Sequence, residues 1–234
     1  MLGSRDMKAF PELVVFDLAG TTVRDSGAIA AVLTSVLDRF GVGEAIAIDS
    51  MRGASKREMI AAAILRSGKS GIRPEDVMAA FRRELLDRFA ATEIVAIEGA
   101  EDVFSAVRAA GARVALTSGL DRELMATIVA ALKWESMLDA SVSADDVAEG
   151  RPAPFLIFRA MEKTGTHSTT AVANVGDTVF DLRSGANAGV RWNFGVLTGA
   201  HRREALGGEA HTALLDSIRD LPPFFARAAP GVTP

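Results

Sequence analysis

The chain has 234 residues, with 26 basic and 30 acidic side chains and a net charge of -4, so it presents no cationic field for polyanions and a nucleic-acid partner is not expected. Hydrophobic residues make up 49% of it, enough to build a buried core and to exclude disorder over most of the length. The absence of cysteine excludes disulfides, thiolate nucleophiles, iron-sulfur clusters and zinc ribbons, leaving oxygen and imidazole as metal ligands.

No apolar run reaches the roughly 18 residues of a membrane span, and the N-terminus lacks the apolar stretch of a signal peptide. A cytoplasmic protein without a membrane partner is therefore expected. Residues 1–6, ahead of Met7, are set aside from fold reasoning. A first buried strand is expected at Leu13 to Phe16, followed by helical stretches at 28–40, 55–66 and 75–90 with no convincing strand among them. Gly41, Gly43, Gly53, the SGKSG turn at 67–71 and Pro74 divide this segment. Alternation then resumes, with helices at 100–110, 121–131, 154–164, 178–188 and 216–221. Between them run short apolar strands at 114–116, 140–143, 171–175, 192–196 and 213–215. Such near-continuous apolar strands are what a parallel sheet covered on both faces requires. The expected fold is α/β, a doubly wound Rossmann-like parallel sheet with an inserted all-helical cap. Residues 7–22 and 95–234 would form the core and residues 23–94 the cap. The tail after Leu221 carries no functional signal and is expected to fray at its end.

In FDLAGTT, Asp17 closes the first strand and is followed by small turn-forming residues. In an open α/β sheet that position faces the crevice where ligands bind. A carboxylate there serves as a nucleophile, as a metal ligand, or as a simple turn cap. In NVGDTVFD, Asp177 and Asp181 follow another apolar strand four residues apart, on one face of any helix that starts there. With Asp17 they form an oxygen set suited to Mg²⁺, although GDTxxxD alone also reads as a helix cap.

Together these segments resemble the haloacid dehalogenase superfamily, over the chain from Leu13 to about Leu221. Its signature is an Asp nucleophile ending the first strand, a Ser or Thr ending the second, a basic residue before the fourth, and a paired-Asp loop after it. Those positions here read Asp17, Thr117, Arg151, and Asp177 with Asp181. The phosphatases of the superfamily usually carry a second Asp two residues after the nucleophile, as acid and base; here that residue is Ala19. The basic residue, usually Lys, is Arg151. Both changes, within DLAGTT and GRPAP, are similar to the phosphonatase branch, phosphonoacetaldehyde hydrolase and its relatives. That branch also has a cap lysine in a G-x-x-K motif, which Gly53 to Lys56 satisfies. Its Met before that Gly and its His after that Lys are replaced here by Arg52 and Met59, and Ser26 to Ala28 lacks the branch's Cys.

The resemblance implies a Mg²⁺-dependent hydrolase cleaving the C-P bond of a 2-oxoalkylphosphonate, with Lys56 forming an imine and Asp17 an aspartyl phosphate. Thr117 and Arg151 would complete the catalytic set. Asp17, the Ala19 carbonyl, Asp177 and Asp181 would hold the metal. Ala19, Gly20, Thr21, Gly53, Ser118 and Gly119 would border the substrate, the turn at 18–21 through its amides. The partner is then a small phosphonate or phosphate, and a homodimer is one option for the assembly. Two readings stay open beside this one: a phosphomonoesterase in which Lys56 only grips phosphate, and a sensor that has lost turnover. His167, His201 and His211 show no metal spacing and read as surface or strand-end residues. Trp134 and Trp192 read as packing residues, and the other acidic residues of the helical segment as solvated faces.

Overall fold

The computed structural model describes residues 10–228. Six strands, β1 (Leu13–Asp17), β2 (Arg113–Thr117), β3 (Ala140–Val142), β4 (Val172–Gly176), β5 (Trp192–Val196) and β6 (Ala213–Leu215), form one sheet in the order β3-β2-β1-β4-β5-β6. All neighbouring pairs are parallel. Every residue of β1, β4 and β5 is buried, the outcome expected when helices cover both faces of a parallel sheet.

Residue alternation along β1 builds the two layers. Val14 and Phe16 pack on one face with Phe104 and Trp134, while Leu13 and Val15 pack on the other with Leu156, Ile157 and Ala160. The first face is covered by α4 (Ala100–Ala109) and α5 (Arg122–Ala131), and α6 (Phe155–Thr164) covers the second. Phe104 meets Phe16 and Trp134 edge-on, and the Trp134 indole N-H reaches Glu101, so the tryptophan is a packing residue with its polar atom bonded.

Three helices lie between β1 and α4: α1 (Ala28–Arg39), α2 (Lys56–Ser67) and α3 (Pro74–Ala91). Their apolar faces meet each other through Leu33, Val36, Met59, Ile60, Phe81 and Leu85, all essentially buried. Each such side chain contributes about 1.5–3 kcal/mol. Pro74 at the first position and Glu75 and Asp76 in the first turn start α3 in the manner a helix N-terminus favours. SGKSG ends α2 with Gly68 in the left-handed region and forms a turn.

The sheet closes with α7 (Val179–Ala188), α8 (Arg203–Gly207) and α9 (Leu221–Ala228). The helix expected at 216–221 is a 3₁₀ turn over Ile218–Asp220, capped by Ser217, and the true helix begins at Leu221. The tail is structured to residue 228 because Phe225 is buried against Phe10, Trp192 and Phe194. Prolines 222 and 223 fall in the first turn of α9, where a missing N-H costs nothing. The end of the tail and residues 1–6 lie outside the described residues. Among the described residues no helix is long and apolar enough to cross a membrane.

Candidate active site

Asp17 and Thr117 are register partners at the carboxyl ends of β1 and β2, and Gly176 ends β4 on the other side of β1. Strand order reverses at β1, so the loops after β1 and β4 diverge and leave a crevice. Arg151 enters it from the loop before α6. Its Nη1 donates to Asp17 Oδ1 at 2.6 Å and lies 3.0 Å from Asp181 Oδ1, while its Nη2 donates to Thr117 Oγ1 at 2.6 Å. A planar fork with fixed donors suits this three-way grip.

Asp181 is anchored from its other oxygen, which accepts from the Thr178 N-H and hydroxyl in the capping box that starts α7. Asp177 accepts from Thr21 Oγ1 at 3.0 Å and from the Ala200 N-H at 2.7 Å. Gly20, at φ 92°, lets the turn after β1 touch it: a Cβ there would lie 2.4 Å from Asp177 Oδ2. Gly20 thus supplies space, and its N-H donates to the Val23 carbonyl at 2.7 Å. The Ser118 N-H likewise donates to Val142 within the sheet.

Oxygens of Asp17, Asp177 and Asp181 lie within 4.8 Å of one another, all three residues buried. Burial pushes the Asp17 carboxyl up to about 7 even though Arg151 pulls it down. Burial, with Asp17 and Asp181 adding repulsion, holds Asp177 well above the usual carboxylate range. A hard divalent cation fits this donor set. Three converging buried carboxylates face one bonded guanidinium, and oxygen-only ligation is what Mg²⁺ prefers.

Lys56 opens α2. Its N-H donates to the Gly119 carbonyl at 3.0 Å and its Nζ to the Ala54 carbonyl at 3.0 Å, and it lines the same cavity as Asp17, Arg151 and Asp177. Burial brings its amine down to about 8; the charge of Asp17 opposes this and that of Arg151 assists it. Gly53, at φ 90°, seats the loop before Lys56 on α7, where a Cβ would come within 2.4 Å of Thr178 Oγ1. Ala19, Gly53, Ser118 and Gly119 also border the cavity. Thr21 meets Asp177 instead of the cavity.

Four residues to which the sequence assigns no role in the site are bonded in it or at its edge. Asp25 and Arg52 line the cavity and pair with each other, Oδ2 to Nη1 at 3.2 Å. Glu58 is not on a solvated face: it accepts the Gly150 N-H at 2.6 Å. His201 is half-buried, lining an outer groove beside the site. Its Nδ1 accepts the Val179 N-H at 3.0 Å and its own N-H donates to Asp177 O at 3.3 Å, at the edge of the site. All four depend on partners 22 to 92 positions away, which no local pattern reveals.

The family model described as haloacid dehalogenase-like hydrolase matches residues 14–194, the span that holds Asp17, Lys56, Thr117, Arg151, Asp177 and Asp181. The chain belongs to the haloacid dehalogenase-like hydrolases. Among its relatives within that family is phosphonoacetaldehyde hydrolase of Paraburkholderia xenovorans (strain LB400), 35% identical over 202 residues, covering 78% of this chain and 73% of the relative. Phosphonoacetaldehyde hydrolase of Bacillus cereus is 31% identical over 209 residues, with 81% and 76% covered. Among solved structures, a phosphonoacetaldehyde hydrolase-like protein from Oleispira antarctica superposes over 100% of both chains with a TM-score of 0.75 at 22% identity. CbbY from Rhodobacter sphaeroides, crystallised with phosphate, gives 0.75 at 20% identity over 91% of this chain and 96% of its own. These likenesses establish a haloacid dehalogenase-like hydrolase on a Rossmann-like sheet.

Proposed function

We propose that this hydrolase cleaves the C-P bond of a 2-oxoalkylphosphonate such as phosphonoacetaldehyde, through an imine at Lys56 and a phosphoryl group on Asp17. One observation carries the reading: a lysine whose burial brings the amine to about 8 shares a cavity with the strand-end carboxylate. The homologues named above, phosphonoacetaldehyde hydrolases at 31 to 35% identity, support it.

The neutral Lys56 amine attacks the carbonyl carbon, one proton is taken up and water leaves, forming an iminium two bonds from phosphorus. Asp17 attacks phosphorus, the C-P electron pair moves into the iminium, and an enamine departs. No oxygen leaving group needs a proton, which accounts for Ala19 where a general acid would stand. Arg151 orients Asp17 and offsets charge on the phosphoryl oxygens together with Thr117. Asp17 and Asp177, with the Ala19 carbonyl, would hold Mg²⁺, and Asp181 closes the acidic ring and orients Arg151. The cation would supply electrostatic stabilisation of the phosphoryl oxygens. Water then cleaves the aspartyl phosphate, the enamine carbon takes up a proton, and hydrolysis of the resulting imine releases the carbonyl product.

In this reading residues 23–94 act as a cap that closes over the crevice and carries Lys56 into it. The test is borohydride added during turnover of phosphonoacetaldehyde. Reduction of the iminium adds the mass of the reduced adduct to the peptide holding Lys56. No adduct, together with turnover of an alkyl phosphate, would replace this reading with a phosphomonoesterase in which Lys56 grips phosphate.

A further inference from the structure

We propose that Asp25 is the acid-base residue that moves protons during formation and breakdown of the Lys56 imine, an inference that rests on the imine reading above. The ionisable side chains lining the cavity around Lys56 are Asp17, Asp25, Arg52, Arg151 and Asp177. The two arginines remain charged and exchange no proton at neutral pH. Asp17 is held by Arg151 for attack on phosphorus, and Asp177 is bonded to Thr21 and to the Ala200 N-H. Among the described residues, Asp25 is therefore the one carboxylate lining this cavity that lies outside the phosphoryl cluster.

Asp25 is also built in place. Oδ1 accepts the Gly27 N-H at 2.8 Å, and Oδ2 pairs with Arg52, itself fixed by Asp49 at 2.9 Å. Its side chain is 20% exposed. Besides the cavity it lines an outer groove with Arg52 and His201, so it stands between the reaction space and solvent. Its charge is felt at Lys56, where it favours the ammonium.

The proton balance closes on this one carboxylate. The neutral Lys56 amine forms the C-N bond with its lone pair as the carbonyl π pair moves to oxygen, while Asp25 draws a proton from solvent. Asp25 delivers its proton to that oxygen. It then takes a second proton from the nitrogen and gives it to the hydroxyl, which leaves as water as the nitrogen lone pair forms the iminium. After phosphorus has moved to Asp17, the enamine carbon takes a proton that Asp25 has drawn from solvent, and water hydrolyses the resulting imine by the reverse path.

The experiment measures the rate of the borohydride adduct at Lys56 with phosphonoacetaldehyde, beside the affinity for vanadate, which reads the phosphoryl site. Asp25→Asn should slow adduct formation by about 10²-fold or more while vanadate affinity stays within about threefold. Formate added to Asp25→Ala should recover part of the rate. An Asn variant that labels at the native rate overturns the role of Asp25 and leaves the imine reading intact. Failure of the unmodified protein to label overturns both. Should the Asn variant also lose vanadate, the formate experiment decides: recovery supports proton transfer by Asp25, and no recovery overturns it.

Discussion

Glu58 accepts a hydrogen bond from the Gly150 N-H at 2.6 Å, which ties the first turn of α2 to the residue just before Arg151. The two residues beside it reach the same rim of the sheet: the Lys56 N-H meets Gly119 O, and Arg57 Nη2 meets Ala144 O at 2.9 Å. Three consecutive residues of the proposed cap thus touch three core loops, one of which carries the arginine that holds Asp17. Glu58→Ala should lower kcat/KM by about three- to tenfold with about 1.5–3 kcal/mol of lost stability, the usual worth of a hydrogen bond to a charged group. Steady-state kinetics and urea titration check this, and a loss confined to stability would separate Glu58 from Arg151 positioning.

Arg151→Lys should reduce turnover by at least about tenfold while keeping the charge, because an ammonium cannot meet Asp17, Thr117 and Asp181 in the geometry of the fork. Arg151→Ala should cost the fold about 3–5 kcal/mol, the usual penalty for leaving buried carboxylates without their partner. Denaturant midpoints of the two variants, measured side by side, give the comparison.

Much of this was legible in the sequence, and the exceptions have physical causes. Strands β1, β4 and β5 are buried on both faces, so apolar composition alone reveals them. Asp17 and the Asp177/Asp181 pair stand where strands end, and a strand end is visible in the pattern. The five-residue α8 is too short to show a helical period. α9 carries two prolines in its first turn, which read as a break although that turn tolerates them. Asp25, Glu58 and His201 looked like ordinary polar residues because their roles come from chain segments brought together only by folding.

The amine of Lys56, brought to about 8 by burial, sets a pH dependence with a definite sign. Imine formation needs the neutral amine, so kcat/KM for phosphonoacetaldehyde should rise from pH 6 and level off above about 8. Stability should respond as well. The folded state binds the proton less tightly than the unfolded chain, whose lysines titrate near 10.5, so the cost of the buried ammonium is complete below about 8 and fades as pH rises towards 10.5. Lys56→Met should accordingly be more stable than the unmodified protein at pH 7, by at most about 3 kcal/mol, and the gap should narrow by pH 10. A constant gap across that range would contradict the buried amine.

Converging carboxylates of Asp17, Asp177 and Asp181 repel each other, so a divalent cation should stabilise the fold as well as support turnover. Mg²⁺ should raise the thermal midpoint of the unmodified protein and EDTA should reverse the effect. In Asp177→Asn the Mg²⁺ shift should shrink. An unchanged shift in that variant would place the cation elsewhere.

Phosphate release from phosphonoacetaldehyde, set against release from an alkyl phosphate and repeated with Lys56→Arg, tests the central claim most directly. C-P hydrolysis through the Lys56 imine predicts phosphate and acetaldehyde in equal amounts from the phosphonate, far slower release from the alkyl ester, and loss of phosphonate turnover in the Arg variant, since a guanidinium offers no nucleophilic amine. Faster release from the alkyl phosphate, with an Arg variant that changes only KM, would contradict it.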